Sequence, residues 1–247
     1  MIGGFIITGN QSKKVLLRGL GPSVNAPDAL VDPVLQLFDT NGALIGTNDN
    51  WRDAQEAEIA ESGAAPPDPR ESAIIALLSA NNYTAVLQGK NGTSGVGLFE
   101  AYDLDRTSNS QLANVSTRGF VGTGDNILIG GFIVDSSSSQ SGTFVIRGIG
   151  PSLANAGLTG TLQNPRVDIY SGSAFVVGND NWQDDAAQAQ ALARLGIAPT
   201  DQTEAAIVTT LLPGSYTAIV AGVGNTVGLA LVEIYNVTSS AADAQGN

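Results

Sequence analysis

Short apolar runs alternate along the chain with clusters of Gly, Pro, Asn, Asp and Ser, at a spacing of roughly ten residues. The runs are rich in Val, Ile, Leu, Phe and Tyr, which is typical of antiparallel β-strands separated by turns. In the second half of the chain the pattern predicts strands at 112–121, 127–134, 143–149, 166–171, 174–178, 204–211, 215–221 and 227–236. This number of short strands favours an all-β fold, an antiparallel jelly-roll-like β-sandwich.

The strand pattern is repeated once along the chain, with matching sequence segments in the two copies. The repeated segments are GGFI at 3–6 and 130–133, VLLRGLGPS at 15–23 and FVIRGIGPS at 144–152, and TNDNWRD at 47–53 and GNDNWQD at 178–184. A period near 130 residues matches a complete domain and is too long for one unit of a solenoid. We therefore predict two tandem sandwich domains, at 1–108 and 109–247, joined at the polar run DLDRTSNSQ.

One segment of each copy has a helical pattern instead. These segments are DAQEAEIAES at 53–62 and DAAQAQALARL at 185–195. Each opens with a capping-box pattern, Asp53 with Glu56 and Asp185 with Gln188, whose side chains would satisfy the free amides of the first turn. We predict one short helix in each domain.

Composition excludes several classes of function. The chain has no His and no Cys, so a Ser-His-Asp triad, a thiolate nucleophile and the usual zinc sites are ruled out, and we predict that it is not an enzyme. The net charge of −12 argues against a nucleic-acid partner and against anionic membrane surfaces. No apolar stretch approaches the length of a membrane-spanning helix, so no membrane insertion is predicted.

The repeated Asn-Asp run has two interpretations. Asn and Asp form turns and caps before helices, which is the simpler one. Their oxygens are also the ligands that calcium prefers, so the prediction is either no cofactor or calcium. The candidate calcium ligands are Asn48, Asp49, Asn50 and Asp53 in the first copy, and Asn179, Asp180, Asn181 and Asp184 in the second.

The two tryptophans and the two glycine-rich motifs each have more than one possible role. Trp51 and Trp182 either plug the end of each sandwich against its helix, which we favour, or form platforms for sugar stacking. RGLGPS and RGIGPS lack the spacing of a phosphate-binding loop, and we predict a tight bend with glycine at positive φ.

Charged residues inside the apolar strands need partners. Arg18, Arg147, Glu100 and Glu233 interrupt apolar runs, and a buried charge is costly unless it is paired. Our hypothesis is that each arginine pairs with the glutamate of its own domain, Arg18 with Glu100 and Arg147 with Glu233. Glu71 and Glu204 are the alternative partners.

The segment DPVLQLFDTNGALIGTNDNW, followed by YTAVLQG and GVGLFEAYDL, resembles the pre-peptidase C-terminal type of β-sandwich domain. The whole unit looks like a tandem repeat of large exported bacterial surface proteins. The resemblance implies a jelly-roll fold and an extracellular or cell-surface, usually noncatalytic module. Some relatives bind calcium or extracellular polymers.

The two copies differ at their beginnings. QLANVSTRGFVGTGDN precedes GGFI in the second copy, whereas only Met1 and Ile2 precede it in the first. We therefore predict that the first domain lacks an opening strand. Either the sequence begins inside a longer polyprotein, or a neighbour supplies the missing strand to an open edge, with 112–121 as a candidate donor and the C-terminal VTSSAADAQGN as a weaker one. The residues predicted to take part in assembly are Gly3, Gly4, Phe5, Leu112, Val115, Phe120 and Val121.

Together these patterns predict a noncatalytic structural subunit of an extracellular or cell-surface fibre, in which copies of the chain join head to tail by strand donation. Repetition of such a contact builds an open filament rather than a closed ring. The alternatives are a calcium-dependent adhesion or carbohydrate-binding module, with extracellular polysaccharide as a partner, and a noncatalytic appendage cut from a secreted enzyme.

Overall fold

Antiparallel β-strands form nearly all of the regular structure in the computed structural model, which describes residues 1–105, 107–124, 126–134 and 141–238. The chain divides into two units, Met1–Val115 (unit 1) and Ser116–Asn247 (unit 2). The division lies seven residues beyond the sequence-based one (115 − 108 = 7), because the first residues of one long strand belong to unit 1.

Unit 1 contains two antiparallel sheets. Its elements are β1 (Ile2–Thr8), β2 (Lys13–Leu20), β3 (Pro33–Phe38), β4 (Leu44–Asn48), α1 (Glu56–Glu61), β5 (Ser72–Leu78), β6 (Asn81–Gly89), β7 (Leu98–Asp103) and the beginning of β8 (Gln111–Val121). Sheet A has the strand order β8-β1-β6-β3-β4, and sheet B has the order β5-β2-β7. Consecutive strands mostly lie in opposite sheets, as they do in jelly-roll folds.

Unit 2 repeats this plan. Its elements are the end of β8, β9 (Leu128–Val134), β10 (Gly142–Ile149), β11 (Pro165–Ser171), β12 (Ala174–Asn179), α2 (Ala186–Arg194), β13 (Ala205–Leu211), β14 (Gly214–Gly222) and β15 (Gly228–Asn236). Sheet A has the order β12-β11-β14-β9, and sheet B has the order β13-β10-β15-β8. These strands confirm the predicted ones to within one or two residues.

Each unit is a sandwich because both sheets turn alternate side chains towards one core. In unit 1, β1 buries Phe5 and Ile7 from sheet A, and β2 buries Val15 and Leu17 from sheet B, all in the same cluster. A corresponding cluster fills unit 2. The predicted fold class, two antiparallel jelly-roll-like sandwiches with one short α-helix each, is confirmed.

The two α-helices begin differently. Asp185 caps α2 as predicted, since its Oδ1 accepts hydrogen bonds from the amides of Ala187 and Gln188 at 2.8 and 3.0 Å. The cap predicted for α1 is wrong: Gln55 stands at its N-cap position, and Asp53 accepts a bond from the side chain of Asn50 instead. No helix in the described ranges is long and apolar enough to cross a bilayer.

A buried glutamate holds the glycine-rich bend that ends β2. Oε1 of Glu71 accepts hydrogen bonds from the amide of Gly21 (3.0 Å) and from both the amide and the hydroxyl of Ser23 (2.9 and 2.6 Å). Its other oxygen accepts from the amide of Asp68 at 3.2 Å. Glu204 binds Gly150 and Ser152 in the same way in unit 2. The bend therefore requires an anion, and the chain supplies its own.

The glycine of this bend is needed for close packing. A Cβ on Gly21 would lie 2.0 Å from the carbonyl oxygen of Leu30, and a Cβ on Gly150 would lie 2.0 Å from that of Leu162. Neither glycine has a positive φ, so that part of the sequence prediction is wrong. The backbone of a neighbouring loop, rather than a left-handed conformation, excludes a side chain here.

Replacing Glu71 by Gln tests this arrangement. The amide NH2 cannot accept the hydrogen bond from the amide of Asp68, and the charge that binds two backbone amides is lost. We expect the free energy of unfolding to fall by about 2 kcal/mol, measured by chemical denaturation. In the control, Glu58→Gln, the lost group is the exposed partner of Lys14, and the change should stay within about 0.5 kcal/mol. Equal effects of the two substitutions would contradict this role for Glu71.

Candidate functional site at the sheet edges

Side chains predicted to bind calcium make hydrogen bonds within their loop and to the neighbouring strand β5. Oδ1 of Asn48 accepts a hydrogen bond from the amide of Ala73 at 2.9 Å, and its Nδ2 donates to the carbonyl of Asn50 at 3.0 Å. Nδ2 of Asn50 donates to Oδ2 of Asp53 at 2.9 Å. The amide oxygen that would have to bind a metal is therefore already an acceptor.

The second copy shows the same bonds. Asn179 accepts from Ala206 at 3.0 Å and donates to Asn181 at 2.9 Å, and Asn181 donates to Asp184 at 3.4 Å. The turn-forming interpretation of the repeated run accounts for these contacts in both units.

A lysine is the cation beside this loop in unit 1. Nζ of Lys90 lies 2.5 Å from Oδ2 of Asp49 and 3.6 Å from Oδ2 of Asp32, and the bond to Asp49 raises the pKa of Lys90. One oxygen of each carboxylate accepts no hydrogen bond, yet two carboxylates beside an ammonium fall short of the six to eight oxygens that calcium takes. Among the described residues no three Asp, Glu, His or Cys side chains converge, and Lys90 is the cation bound by these two carboxylates.

The repeated run and the helix after it shield an edge of sheet B. The outer edge of β5 presents the amide of Ala73 and both backbone groups of Ile75. Asn48 binds the first, and Gln55 binds the other two, accepting from the amide at 3.0 Å and donating to the carbonyl at 2.9 Å. These two side chains take the place of a neighbouring strand.

The same protection is present on β13. Oδ1 of Asn179 accepts from the amide of Ala206, and Oε1 of Gln188 accepts from the amide of Val208 at 2.8 Å. Gln188 thus serves the strand edge and does not complete the predicted capping box. Sequence reasoning missed this role, although the recurrence of both amides in the two copies was the available signal.

The tryptophan after each run is a plug, as favoured from the sequence. Trp51 is buried beside Leu16 and Ile59, and its Nε1 donates to the carbonyl of Asp68 at 3.2 Å. The guanidinium of Arg52 lies 4.8 Å from the ring centroid. Trp182 is partly buried and donates to Asp201 at 3.0 Å. The Trp51 ring offers no free face for a sugar.

The hypothesis of an Arg–Glu pair in each unit is confirmed. Nε of Arg18 donates to Oε2 of Glu100 at 2.7 Å, and Nη1 donates to the carbonyl of Ala64 in the loop after α1 at 2.8 Å. The hydroxyl of Tyr102 accepts from Arg18 at 2.9 Å. The pair therefore ties the helical segment to the outer face of sheet B.

The unit 2 pair is built in the same way. Arg147 donates to Glu233 at 2.8 Å and to the carbonyl of Ile197, also at 2.8 Å. Burial, followed by the charge of Glu233, raises the pKa of Tyr235 to about 12, and the same causes raise the pKa of Tyr102. These phenols stay protonated and act as hydrogen-bonding groups.

Among the strands that the structure describes, one position of unit 1 has no occupant, and it lies beside β7. Unit 2 fills the corresponding position with β8, which is paired with β15. The difference shows in exposure: the side chain of Glu100 on β7 is 24% exposed, whereas that of Glu233 on β15 is 11% exposed. Ala101 is partly buried, whereas Ile234 is only 6% exposed. Sheet B of unit 1 thus has one strand fewer than sheet B of unit 2.

The residues of β1 predicted to take part in assembly do not lie at an open edge. β1 is paired with β8 of the same chain, so Gly3, Gly4 and Phe5 do not border an open edge. A Cβ on Gly3 would lie 2.3 Å from the ring of Phe99, and Phe5 is buried in the core. The vacant position that the sequence places beside β1 is beside β7.

The predicted donor strand serves both units. Leu112 and Val115 of β8 pack against the core of unit 1, and Val121 is fully buried in the core of unit 2. Phe120 is 64% exposed. The opening strand of the second copy is therefore in use within its own chain.

Comparison with protein-family models and with curated protein sequences gave no match. Solved structures that match include the major capsid protein P2 from bacteriophage PM2, with 10% identity over 97% of this chain and 93% of that one and a TM-score of 0.26. PNGF-II matches with 9% identity over 94% and 58% and a TM-score of 0.27, and a chain of Sulfolobus Turreted Icosahedral Virus with 11% identity over 98% and 89% and a TM-score of 0.23. Scores this low carry no argument about function.

Chelation tests the calcium alternative. A ligand that binds only the folded state raises stability, so removal of a structural calcium ion would lower the melting temperature. Because the loop amides are already engaged, we expect melting curves with millimolar calcium and with excess EDTA to coincide within 1 °C, as an order-of-magnitude limit of about 0.3 kcal/mol. A drop of several degrees with EDTA that calcium restores would show that the loop binds the ion.

Removing an edge-shielding side chain tests its role on β5. Gln55→Ala leaves the backbone amide and carbonyl of Ile75 without partners, so the free energy of unfolding should fall by about 1–2 kcal/mol. Light scattering should also show faster aggregation, because an unshielded edge pairs with other chains. Gln88→Ala, at an exposed position of β6, is the control and should change neither quantity. Unchanged stability and aggregation in Gln55→Ala would show that the edge needs no shield.

Proposed function

We propose that this protein is a noncatalytic structural subunit of an extracellular or cell-surface fibre, in which copies of the chain associate by strand pairing. The observation that carries the proposal is the vacant strand position beside β7, which unit 2 fills with β8. An incomplete sheet is a template for a strand of another chain. The partner is a further copy of the same protein.

The chemistry of β7 suits pairing. Its two acidic residues are neutralised within unit 1, Glu100 by Arg18 and Asp103 by Lys13 at 3.0 Å. Leu98, at the beginning of the strand, is 41% exposed. Free edges of monomeric proteins usually carry uncompensated charge, proline or a bulge, and within its described residues β7 has none of these. The acidic side chains of β7 therefore present no uncompensated charge to an incoming strand.

The noncatalytic role is supported by the hydrogen bonds of four carboxylates in the two sandwiches. Glu71 and Glu204 bind backbone amides, and Glu100 and Glu233 bind arginines. None of these four carboxylates pairs with a second carboxylate or an activated nucleophile in the hydrogen bonds that hold it. With His and Cys absent from the sequence, these contacts favour a structural role.

The extracellular location rests on the resemblance to the pre-peptidase C-terminal type of domain, together with a low content of charged residues, 14%. No observation favours the carbohydrate-binding alternative, because the Trp51 ring packs into the core and under Arg52. We therefore carry forward the fibre as the single candidate.

Electron microscopy of the purified chain, with a competing peptide, tests the proposal. We expect filaments that lengthen with protein concentration, because a head-to-tail contact does not close. A peptide of residues 111–121, QLANVSTRGFV, has the sequence that fills this position in unit 2, so a molar excess should shorten the filaments severalfold. The same peptide with Val121→Asp is the control, since Val121 is the fully buried apolar side chain of β8, and it should have no effect. Isolated particles at every concentration would refute the fibre.

A further inference from the structure

A second open edge lies in unit 2, on β9. In unit 1, β1 lies between β6 and β8, whereas the equivalent strand β9 has β14 on one side and ends its sheet among the described strands. The two strands share the sequence GGFI and pair in the same way, β1 with β6 and β9 with β14. Comparison of the two units therefore shows the effect of a strand beside β1 that has no described counterpart beside β9.

The core beneath this edge is uncovered in unit 2. Phe5 and Tyr83 stack with ring centroids 5.4 Å apart and are 1% and 7% exposed, and Leu112 and Val115 of β8 pack against their cluster. The equivalent rings in unit 2, Phe132 and Tyr216, stack at 5.6 Å but are only partly buried. The aromatic pair is buried in unit 1, where β8 lies beside β1, and partly exposed in unit 2, where no described strand lies beside β9.

The outward face of β9 is also apolar. Ile129 is 52% exposed and Ile133 is 72% exposed, whereas their equivalents on β1, Ile2 and Ile6, are partly buried. The strand contains no charged residue. A long apolar strand at a sheet edge without charge is the arrangement that isolated proteins avoid.

The other edge strands are protected. The side chains of Asn48 and Gln55 shield β5, and those of Asn179 and Gln188 shield β13. A bulge interrupts the pairing of β4 with β3 and of β12 with β11. In the part of the chain that the structure describes, β7 and β9 are the edges left without a shield.

We propose that the β9 edge of one copy pairs with the β7 edge of a second copy. This inference rests on the proposed fibre and names the second surface of its contact. The two edges differ, so the interface is heterologous, and each copy keeps one free edge of each kind for the next. Residues 237–247, VTSSAADAQGN, are the poorer occupant, since they contain no counterpart of the Leu112 and Val115 pair that covers unit 1.

Cross-linking tests this pairing, and the absence of cysteine makes it clean. Ile133→Cys marks β9 and Leu98→Cys marks β7, both at exposed positions. A short bis-maleimide should join the two variants into a mixed dimer, and a double variant should give a ladder of multimers. The matched controls are Leu195→Cys at the end of α2 and Leu77→Cys on β5, which are 43% and 71% exposed and lie on neither β7 nor β9. Mixtures containing a control should give at least tenfold less dimer.

A charge on β9 provides a second readout. Ile133→Lys places an ammonium on the exposed face of the edge, so filaments should disappear while the melting temperature stays within a few degrees of the parent. Leu195→Lys, at the exposed end of α2, is the control and should leave the filaments intact. Loss of filaments together with the fold would be recognised by the melting curve, and the cross-linking result would then decide.

The outcomes separate the two proposals. Filaments without the mixed cross-link would overturn the β9–β7 pairing and leave the fibre in place. Dimers of Ile133→Cys alone would indicate a symmetric β9–β9 contact and would also overturn it. If the chain forms neither filaments nor cross-linked dimers, both proposals are wrong. The mixed dimer together with the loss of filaments in Ile133→Lys would establish the pairing.

Discussion

Every backbone amide and carbonyl at the rim of a β-sheet needs a hydrogen-bonding partner, and this requirement organises the whole chain. Each unit meets it in three ways. Side-chain amides bind the outer edge of β5 and β13, the long strand β8 is paired with β1 and β15, and bulges shorten the pairing of β4 and β12. Among the described strands, the edges of β7 and β9 are the exceptions, and both proposals rest on them.

Several of the charged side chains meet the same requirement at bends and loops, where they bind backbone amides or carbonyls. Glu71 and Glu204 serve as fixed anions for two bends, and Arg18 and Arg147 hold the loop after each helix through carbonyl oxygens. The two glutamates are buried and the two arginines are partly buried, and all four fix backbone groups through hydrogen bonds. The polar residues that look most like a reactive cluster are therefore structural.

Local patterns predicted what depends on neighbours in sequence. Alternating apolar residues located the strands of unit 2, and burial costs correctly paired Arg18 with Glu100. They could not show that Gln55 would bind Ile75 or that the vacancy would lie beside β7, because strand order depends on contacts far apart along the chain. The failed cap at Asp53 has the same origin, since the contact of Gln55 with β5 accompanies a different helix start.

The amide of Gln55 also limits how long the edge of β5 stays protected. Its side chain accepts from the amide of Ile75 through Oε1 and donates to the carbonyl through Nε2, and a carboxylate at neutral pH can only accept. Hydrolysis to a carboxylate, the slow heat-driven loss that Asn and Gln undergo, removes the donor and sets a negative charge against a carbonyl oxygen. Deamidation of Gln55 would thus leave the edge of β5 unshielded and able to pair with another chain.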